Sequence, residues 1–160
     1  MTLLFTFYGT IIVEKAPVLL FEVLKSMIHK LSSIIATVCK RYPDIQAVYL
    51  FGSAASGRQH TESDIDLAVV PRSKKARGMK LSILSDLTRQ GLDRVDLVFL
   101  DTDDTVLKYE AVRQNKIVYS THDFDRGALY SKAVREYLDL EPCLAVQRHA
   151  QKRRMLIDQT

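Results

Sequence analysis

The chain has 160 residues, a net charge of +4 and an apolar fraction of 47%, which fits a single packed domain. Charged residues make up 26% and form no long polar segment, so the composition excludes a largely disordered chain. The mildly basic balance favours anionic ligands or partners without identifying one. The two cysteines match no metal or redox spacing, which predicts buried free thiols and a cytoplasmic protein.

Residues 1–26 begin with an apolar stretch that charged residues interrupt before a membrane span of about 20 residues can form. We therefore expect no membrane association. A signal peptide is not expected either, because no Lys or Arg precedes the apolar stretch. Two interpretations of this N-terminal extension stay open: it is a strand added to the core, or it lies upstream of a true initiator at Met27.

From residue 23 onward, helical and strand patterns alternate. Pro142 suits the first turn of a helix and predicts the start of a separate C-terminal helix. This order predicts an α/β (α+β) domain, a small mixed β-sheet backed by helices, with a core at 27–122 and a C-terminal helical segment of the same domain at 123–160. The predicted elements are a helix at 23–38, a strand at 46–51, a short helix or turn at 53–58, a strand at 64–71, a basic loop at 71–78, a helix at 79–90, a strand at 94–100, a helix at 103–115, a strand at 117–120 and helices at 125–138 and from 142.

Paired carboxylates open the second predicted strand. Asp64 and Asp66 are separated by one residue, so they project from the same face of the strand and repel each other unless a cation lies between them. Mg²⁺ commonly takes one or two carboxylates together with substrate phosphates. If the next predicted strand is adjacent, Asp96 supplies a third carboxylate. Three carboxylates across two strands fit a two-metal site for phosphoryl or nucleotidyl transfer.

Small residues end the preceding strand and predict phosphate binding. Gly52 lets the backbone approach a phosphate closely, the N–H groups of a helix start attract anions, and the Ser53 hydroxyl adds a donor. Arg58 and His60, in the loop that follows, add positive charge over a triphosphate. A Gly-Ser turn or an Asp-x-Asp pair alone is usually structural, but here the two occur together beside an otherwise apolar strand, where unpaired charge is costly.

Gly-Ser, ten residues and then Asp-x-Asp resembles the minimal nucleotidyltransferases of the polymerase-beta superfamily. Within that superfamily it is most similar to the MNT-domain antitoxins that pair with HEPN-domain ribonuclease toxins. The resemblance runs from about Met27 to the end of the chain and includes the segments SDIDLAVV and RVDLV. Residues 1–26 have no counterpart in that pattern, and Phe99 stands where relatives often carry another acid.

The resemblance implies that Gly52 and Ser53 hold the triphosphate of ATP, that Asp64 and Asp66 bind Mg²⁺, and that Asp96 activates the incoming hydroxyl. It implies a type VII-like antitoxin: a Mg²⁺-dependent protein adenylyltransferase that moves AMP from ATP to a hydroxyl, expected to be a tyrosine, of a cognate HEPN toxin. This AMPylation would inactivate the toxin, and a hetero-oligomer with it is expected.

Two alternatives stay open. The chain could be a non-catalytic antitoxin that masks its toxin, with the basic tail around Arg148 and Arg153 as the docking surface, although a solvated helix face is the plainer interpretation of that tail. It could also modify a small molecule, but the chain after the predicted sheet is short for an acceptor domain. Direct nucleic-acid binding is not expected, because no basic segment is interleaved with aromatic residues. The basic loop at 71–78 is expected to flank the site and to be either solvated, the plainer interpretation, or involved in steering ATP or an acidic partner.

Overall fold

The computed structural model describes residues 26, 28–52 and 64–157. The predicted N-terminal extension therefore lies almost wholly outside the described residues. Within them, none of the helices is both long enough and apolar enough to cross a membrane. The elements are helix α1 at residues 28–39, strand β1 at Ile45–Phe51, strand β2 at Ile65–Pro71, helices α2 at Lys75–Gly78 and α3 at Lys80–Arg89, strand β3 at Val95–Phe99, helix α4 at Thr105–Arg113, strand β4 at Ile117–Ser120 and helix α5 at Arg126–Ile157.

The four strands form one mixed sheet in the order β3-β2-β1-β4. Strand β1 is antiparallel to both β2 and β4, whereas β2 and β3 are parallel. The parallel pair is joined by a crossover through α2 and α3, as parallel strands require. The crossover places the beginnings of β2 and β3 side by side. The predicted mixed sheet backed by helices is confirmed.

Helices cover both faces of the sheet, so the central strands are apolar on both sides. On one face, α1 and α3 contribute buried side chains to the larger core, namely Leu31, Ile35, Val38, Ile83 and Leu87. On the other face, α4 and α5 contribute a smaller set, namely Ala111, Val112 and Ala133, which pack with Ala47, Tyr49 and Ala68 of the sheet. Side-chain alternation places Asp66 on this second face, in line with Ala68.

Helix α5 corrects the prediction of two C-terminal helices. It runs unbroken through Pro142 from Arg126 to Ile157. A proline inside a helix removes one backbone hydrogen bond and crowds the preceding turn. Here the neighbouring segments are rich in helix formers without glycine, and Glu141, Pro142 and Cys143 are all exposed, so no packed neighbour has to move. The helix therefore continues at the cost of one bond.

The basic segment 71–78 also differs from its prediction. Part of it forms helix α2, and it follows the far end of β2, a seven-residue strand that separates it from the paired aspartates by about 20 Å. Its arginines form ion pairs with acids other than the three of the site, Arg72 with Asp123 at 2.7 Å and Arg77 with Asp101 at 2.8 Å. The expectation that this loop flanks the site was wrong, because the strand between them carries the chain to the opposite edge of the sheet.

Candidate active site

The paired aspartates and the third acid meet where β2 and β3 begin. In the parallel register Asp66 lies opposite Asp96, and Asp64 stands just before β2. Asp66 is half-buried, whereas the other two are exposed. The sheet topology therefore gathers the three carboxylates that sequence reasoning singled out at one edge of the domain.

The three carboxylates interact electrostatically. Partial burial raises the pKa of Asp66, and the charges of Asp96 and Asp64 raise it further. Each of these effects disfavours the ionised form of Asp66. A cation at this edge would remove the repulsion and stabilise the carboxylate.

Gly52 completes this edge from the neighbouring strand. It follows Phe51, the β1 residue that pairs with Asp66, and its φ is 68°. An added Cβ atom would overlap the Asp66 carboxylate oxygen Oδ2. The position therefore requires glycine for two reasons, its left-handed backbone and the close approach of the carboxylate. The backbone at Gly52 therefore lies directly against the Asp66 carboxylate.

Gln114 is a neighbour that sequence reasoning missed. It caps the C-terminus of α4, and its side-chain Nε2 donates a hydrogen bond to the Gly52 carbonyl at 3.4 Å. The two residues are 62 positions apart, and no local pattern marks a glutamine at a helix end as a site residue. Of the other predicted residues, Ser53, Arg58 and His60 lie outside the described part of the chain.

The side chains available as ligands decide how the predicted metal ion could be bound. Among the described residues, no three or more Asp, Glu, His or Cys side chains form a group that could hold a metal ion unaided. Mg²⁺ in nucleotide sites is usually bound by one or two carboxylates and completed by substrate phosphates and water. The raised pKa of Asp66 beside two further carboxylates fits such an ion.

Comparison with known proteins gives consistent matches. Residues 33–124 match the family model of polymerase beta nucleotidyltransferases. The protein adenylyltransferase MntA of Shewanella oneidensis is 34% identical over 94 residues, which cover 59% of this chain and 68% of that protein. The family-model match includes β1 to β4 and therefore the whole carboxylate edge.

Two crystal structures extend the likeness. A chain from a toxin–antitoxin crystallised with AMP-PNP is 28% identical with a TM-score of 0.62, and the match covers 78% of this chain and 98% of that one. A chain from a complex of a tri-AMPylated Shewanella oneidensis HEPN toxin with its MNT antitoxin is 25% identical with a TM-score of 0.57, covering 78% and 95%. The predicted nucleotidyltransferase resemblance is confirmed: the chain belongs to the polymerase beta nucleotidyltransferase family.

Proposed function

We propose that the chain is the antitoxin of a toxin–antitoxin pair and acts as a protein adenylyltransferase on a HEPN-domain toxin. The observation that carries the proposal is the meeting of Gly52, Asp66 and Asp96 at one edge of the sheet. The relatives supply the substrate class, because one is an adenylyltransferase by name and another is bound to a tri-AMPylated HEPN toxin. We propose the cytoplasm as the place of action. Both cysteines are free thiols; Cys39 is buried as predicted, whereas the prediction of burial is wrong for Cys143, which is exposed on α5.

ATP is the proposed nucleotide, since a similar structure holds AMP-PNP. Its triphosphate would lie along the backbone at Gly52, with Ser53 and Arg58 as further phosphate ligands assigned from sequence alone. Asp64 and Asp66, together with Asp96, would hold two Mg²⁺ ions. When bound, these ions would neutralise the phosphate charge and align the attacking and leaving oxygens.

Each cycle of the proposed reaction transfers one AMP group. A tyrosine hydroxyl oxygen of the toxin attacks the α-phosphorus of ATP, a new O–P bond forms, and the bond to the β-phosphate oxygen breaks to release pyrophosphate. Asp96, which lies opposite Asp66 in the sheet, would accept the hydroxyl proton. Charge neutralisation and in-line positioning supply most of the rate enhancement in this class of reaction.

The direct test uses the purified full chain, a cognate HEPN toxin, Mg²⁺ and ATP labelled at the α-phosphate. Label should appear on the toxin, and Asp66→Asn should lower the rate about 100-fold or more. Asp103→Asn is the matched control, because it removes one exposed carboxylate away from the site. Absence of label from the wild-type reaction would overturn the proposal. If Asp66→Asn still protected cells from the toxin as well as wild type does, masking rather than catalysis would be the mechanism.

A further inference from the structure

The loop at residues 114–116 lies against the end of β1, next to the candidate site. On one side of Phe51, the Leu50 N–H donates to the Lys116 carbonyl at 2.8 Å. On the other side, Gln114 Nε2 donates to the Gly52 carbonyl at 3.4 Å. Two hydrogen bonds therefore attach this loop to the last residues of the strand that leads into the site.

The loop is held in an uncommon backbone conformation. Asn115 has a φ of 56°, the only positive φ of a non-glycine residue in the described ranges. Asparagine tolerates this region better than most residues, but an outside contact helps to hold it there. Arg126 supplies one: its Nε donates to Asn115 Oδ1 at 2.6 Å, and its Nη2 donates to the Asn115 carbonyl at 3.3 Å.

These contacts form a continuous chain from the first residue of α5 to the site. Arg126 holds Asn115, the loop presents Gln114, and Gln114 holds Gly52, whose backbone lies against Asp66. A glycine at positive φ has no side chain to restrain it. A restraint on its carbonyl comes from a neighbour, and within the described part of the chain Gln114 is the side chain that donates to it.

We propose that Gln114 and Arg126 are positioning residues for the bound nucleotide. By holding the Gly52 carbonyl, Gln114 fixes the orientation of the backbone at Gly52, because the atoms of a peptide unit are held in one plane. A Gly52 backbone that is already held in place before the nucleotide binds saves the cost of ordering it on binding. The inference rests on the proposed function, since it assumes that a nucleotide occupies this edge.

Gln114→Glu is the test substitution, because it keeps the side-chain length and removes the donor. Gln90→Glu is its matched control: Gln90 caps the C-terminus of α3 just as Gln114 caps that of α4, so both carry the same unfavourable charge at a helix end. We expect Gln114→Glu to raise the dissociation constant for Mg²⁺ and AMP-PNP, and the KM for ATP, by about 3- to 10-fold. We expect kcat to be unchanged, because ground-state and transition-state binding weaken equally.

Arg126→Lys tests the other end of the chain of contacts, since lysine keeps the charge and loses the two-pronged guanidinium. Arg135→Lys is the control on the same helix, because this arginine donates a hydrogen bond to the carbonyl of Ser131 one turn earlier in its own helix. We expect Arg126→Lys to raise the KM for ATP, but by less than Gln114→Glu does. We expect Arg135→Lys to leave the KM unchanged. Melting temperatures should agree within each pair.

The outcomes separate this inference from the proposed function. Equal AMP-PNP affinity and equal KM in Gln114→Glu and Gln90→Glu would overturn the positioning role even if AMP transfer occurs. A melting temperature that falls only in Gln114→Glu, with kcat falling alongside, would also overturn it in favour of a structural role. If wild type binds AMP-PNP and Gln114→Glu weakens that binding but no AMP reaches the toxin, the proposed function fails and the positioning role stands.

Discussion

The Cα atom of Gly52 faces the carboxylate of Asp66 so closely that a Cβ atom at position 52 would overlap Asp66 Oδ2. This contact does not depend on residues next to either one in sequence. The contact arises because β1 and β2 are antiparallel and Asp66 pairs with Phe51. Asp66 can therefore hold its position only because residue 52, at the end of the adjacent strand, has no side chain.

Gly52→Ala should abolish most AMP transfer while leaving the domain folded. The added methyl group must displace Asp66, and a displacement of about 1 Å at a reacting centre costs about 100-fold in rate. The positive φ adds roughly 1–2 kcal/mol of strain. Gly91→Ala separates the two effects, because Gly91 has a φ of 86° and nothing within 4 Å of the added Cβ.

Both alanine variants should therefore lose stability in urea unfolding, Gly52→Ala at least as much as Gly91→Ala, and only Gly52→Ala should lose activity. Equal activity in the two variants would show that the contact with Asp66 is dispensable.

Mg²⁺ together with AMP-PNP should stabilise the wild-type chain against heat, and Asp66→Asn should not show this stabilisation. A ligand at 100 times its dissociation constant adds about 2.7 kcal/mol to the free energy of unfolding. Without metal, Asp66→Asn should be at least as stable as wild type, because burial and the charges of Asp96 and Asp64 oppose ionisation of Asp66. Differential scanning fluorimetry with and without EDTA measures both effects. Equal metal-induced shifts in the two proteins would contradict the assignment of Asp66 as a ligand.

The carboxylate edge shows which parts of the site sequence can predict. The strand from Ile65 to Pro71 was predictable because its limits are local: an acid before the apolar run and a proline at its end. The register that sets Asp66 opposite Asp96 was not, since it depends on a crossover through two helices. The Gln114 contact with Gly52 depends likewise on tertiary structure, as it joins residues 62 positions apart.

Two predictions about the chain after residue 70 were wrong, and each relied on a local feature of the sequence. Pro142 resembles a helix start because proline is common there, but the same residue is tolerated inside a helix where it is exposed. The basic segment at 71–78 was assigned to the site because it follows the Asp-x-Asp motif closely in sequence. The strand between them carries the basic segment to the opposite edge of the sheet. Closeness in sequence therefore did not mean closeness in space.

A second prediction about ionisation concerns Asp86, on the helix face remote from the site. Its carboxylate accepts a hydrogen bond from Tyr42 Oη at 2.7 Å and pairs with Arg41 at 3.0 Å and Arg89 at 3.4 Å. The hydrogen bond from Tyr42 and the charges of the two arginines lower the pKa of Asp86. An acid whose folded-state pKa is lowered stabilises the fold above its unfolded-state pKa of about 4, and this stabilisation is lost as the pH falls further through the folded-state value.

Asp86→Asn should therefore lower the urea midpoint at pH 7, and the difference from wild type should shrink below about pH 4. Tyr42→Phe should cost about 1 kcal/mol through the lost hydrogen bond. AMP transfer per folded molecule should not change in either variant, since α1 and α3 cover the other face of the sheet. Asp93→Asn, which removes an exposed carboxylate, controls for net charge. A difference that stays constant down to pH 2 would contradict the pairing as its source.

Pro142→Ala should strengthen the second half of α5 without affecting the site. Proline in a helix interior is about 3 kcal/mol less favourable than alanine, and alanine restores the N–H that bonds to the carbonyl four residues earlier. Residues 141–143 are exposed, so the gain should stay local and the global unfolding midpoint should move little. Hydrogen exchange at backbone amides after residue 142 should slow by up to about 100-fold, while that of β1 and β2 should not change. Glu141→Ala, at the preceding exposed position, is the control. Slowing of the same size in both variants would show that the proline does not weaken the helix at this position, and that its ring is already accommodated by the surrounding turn.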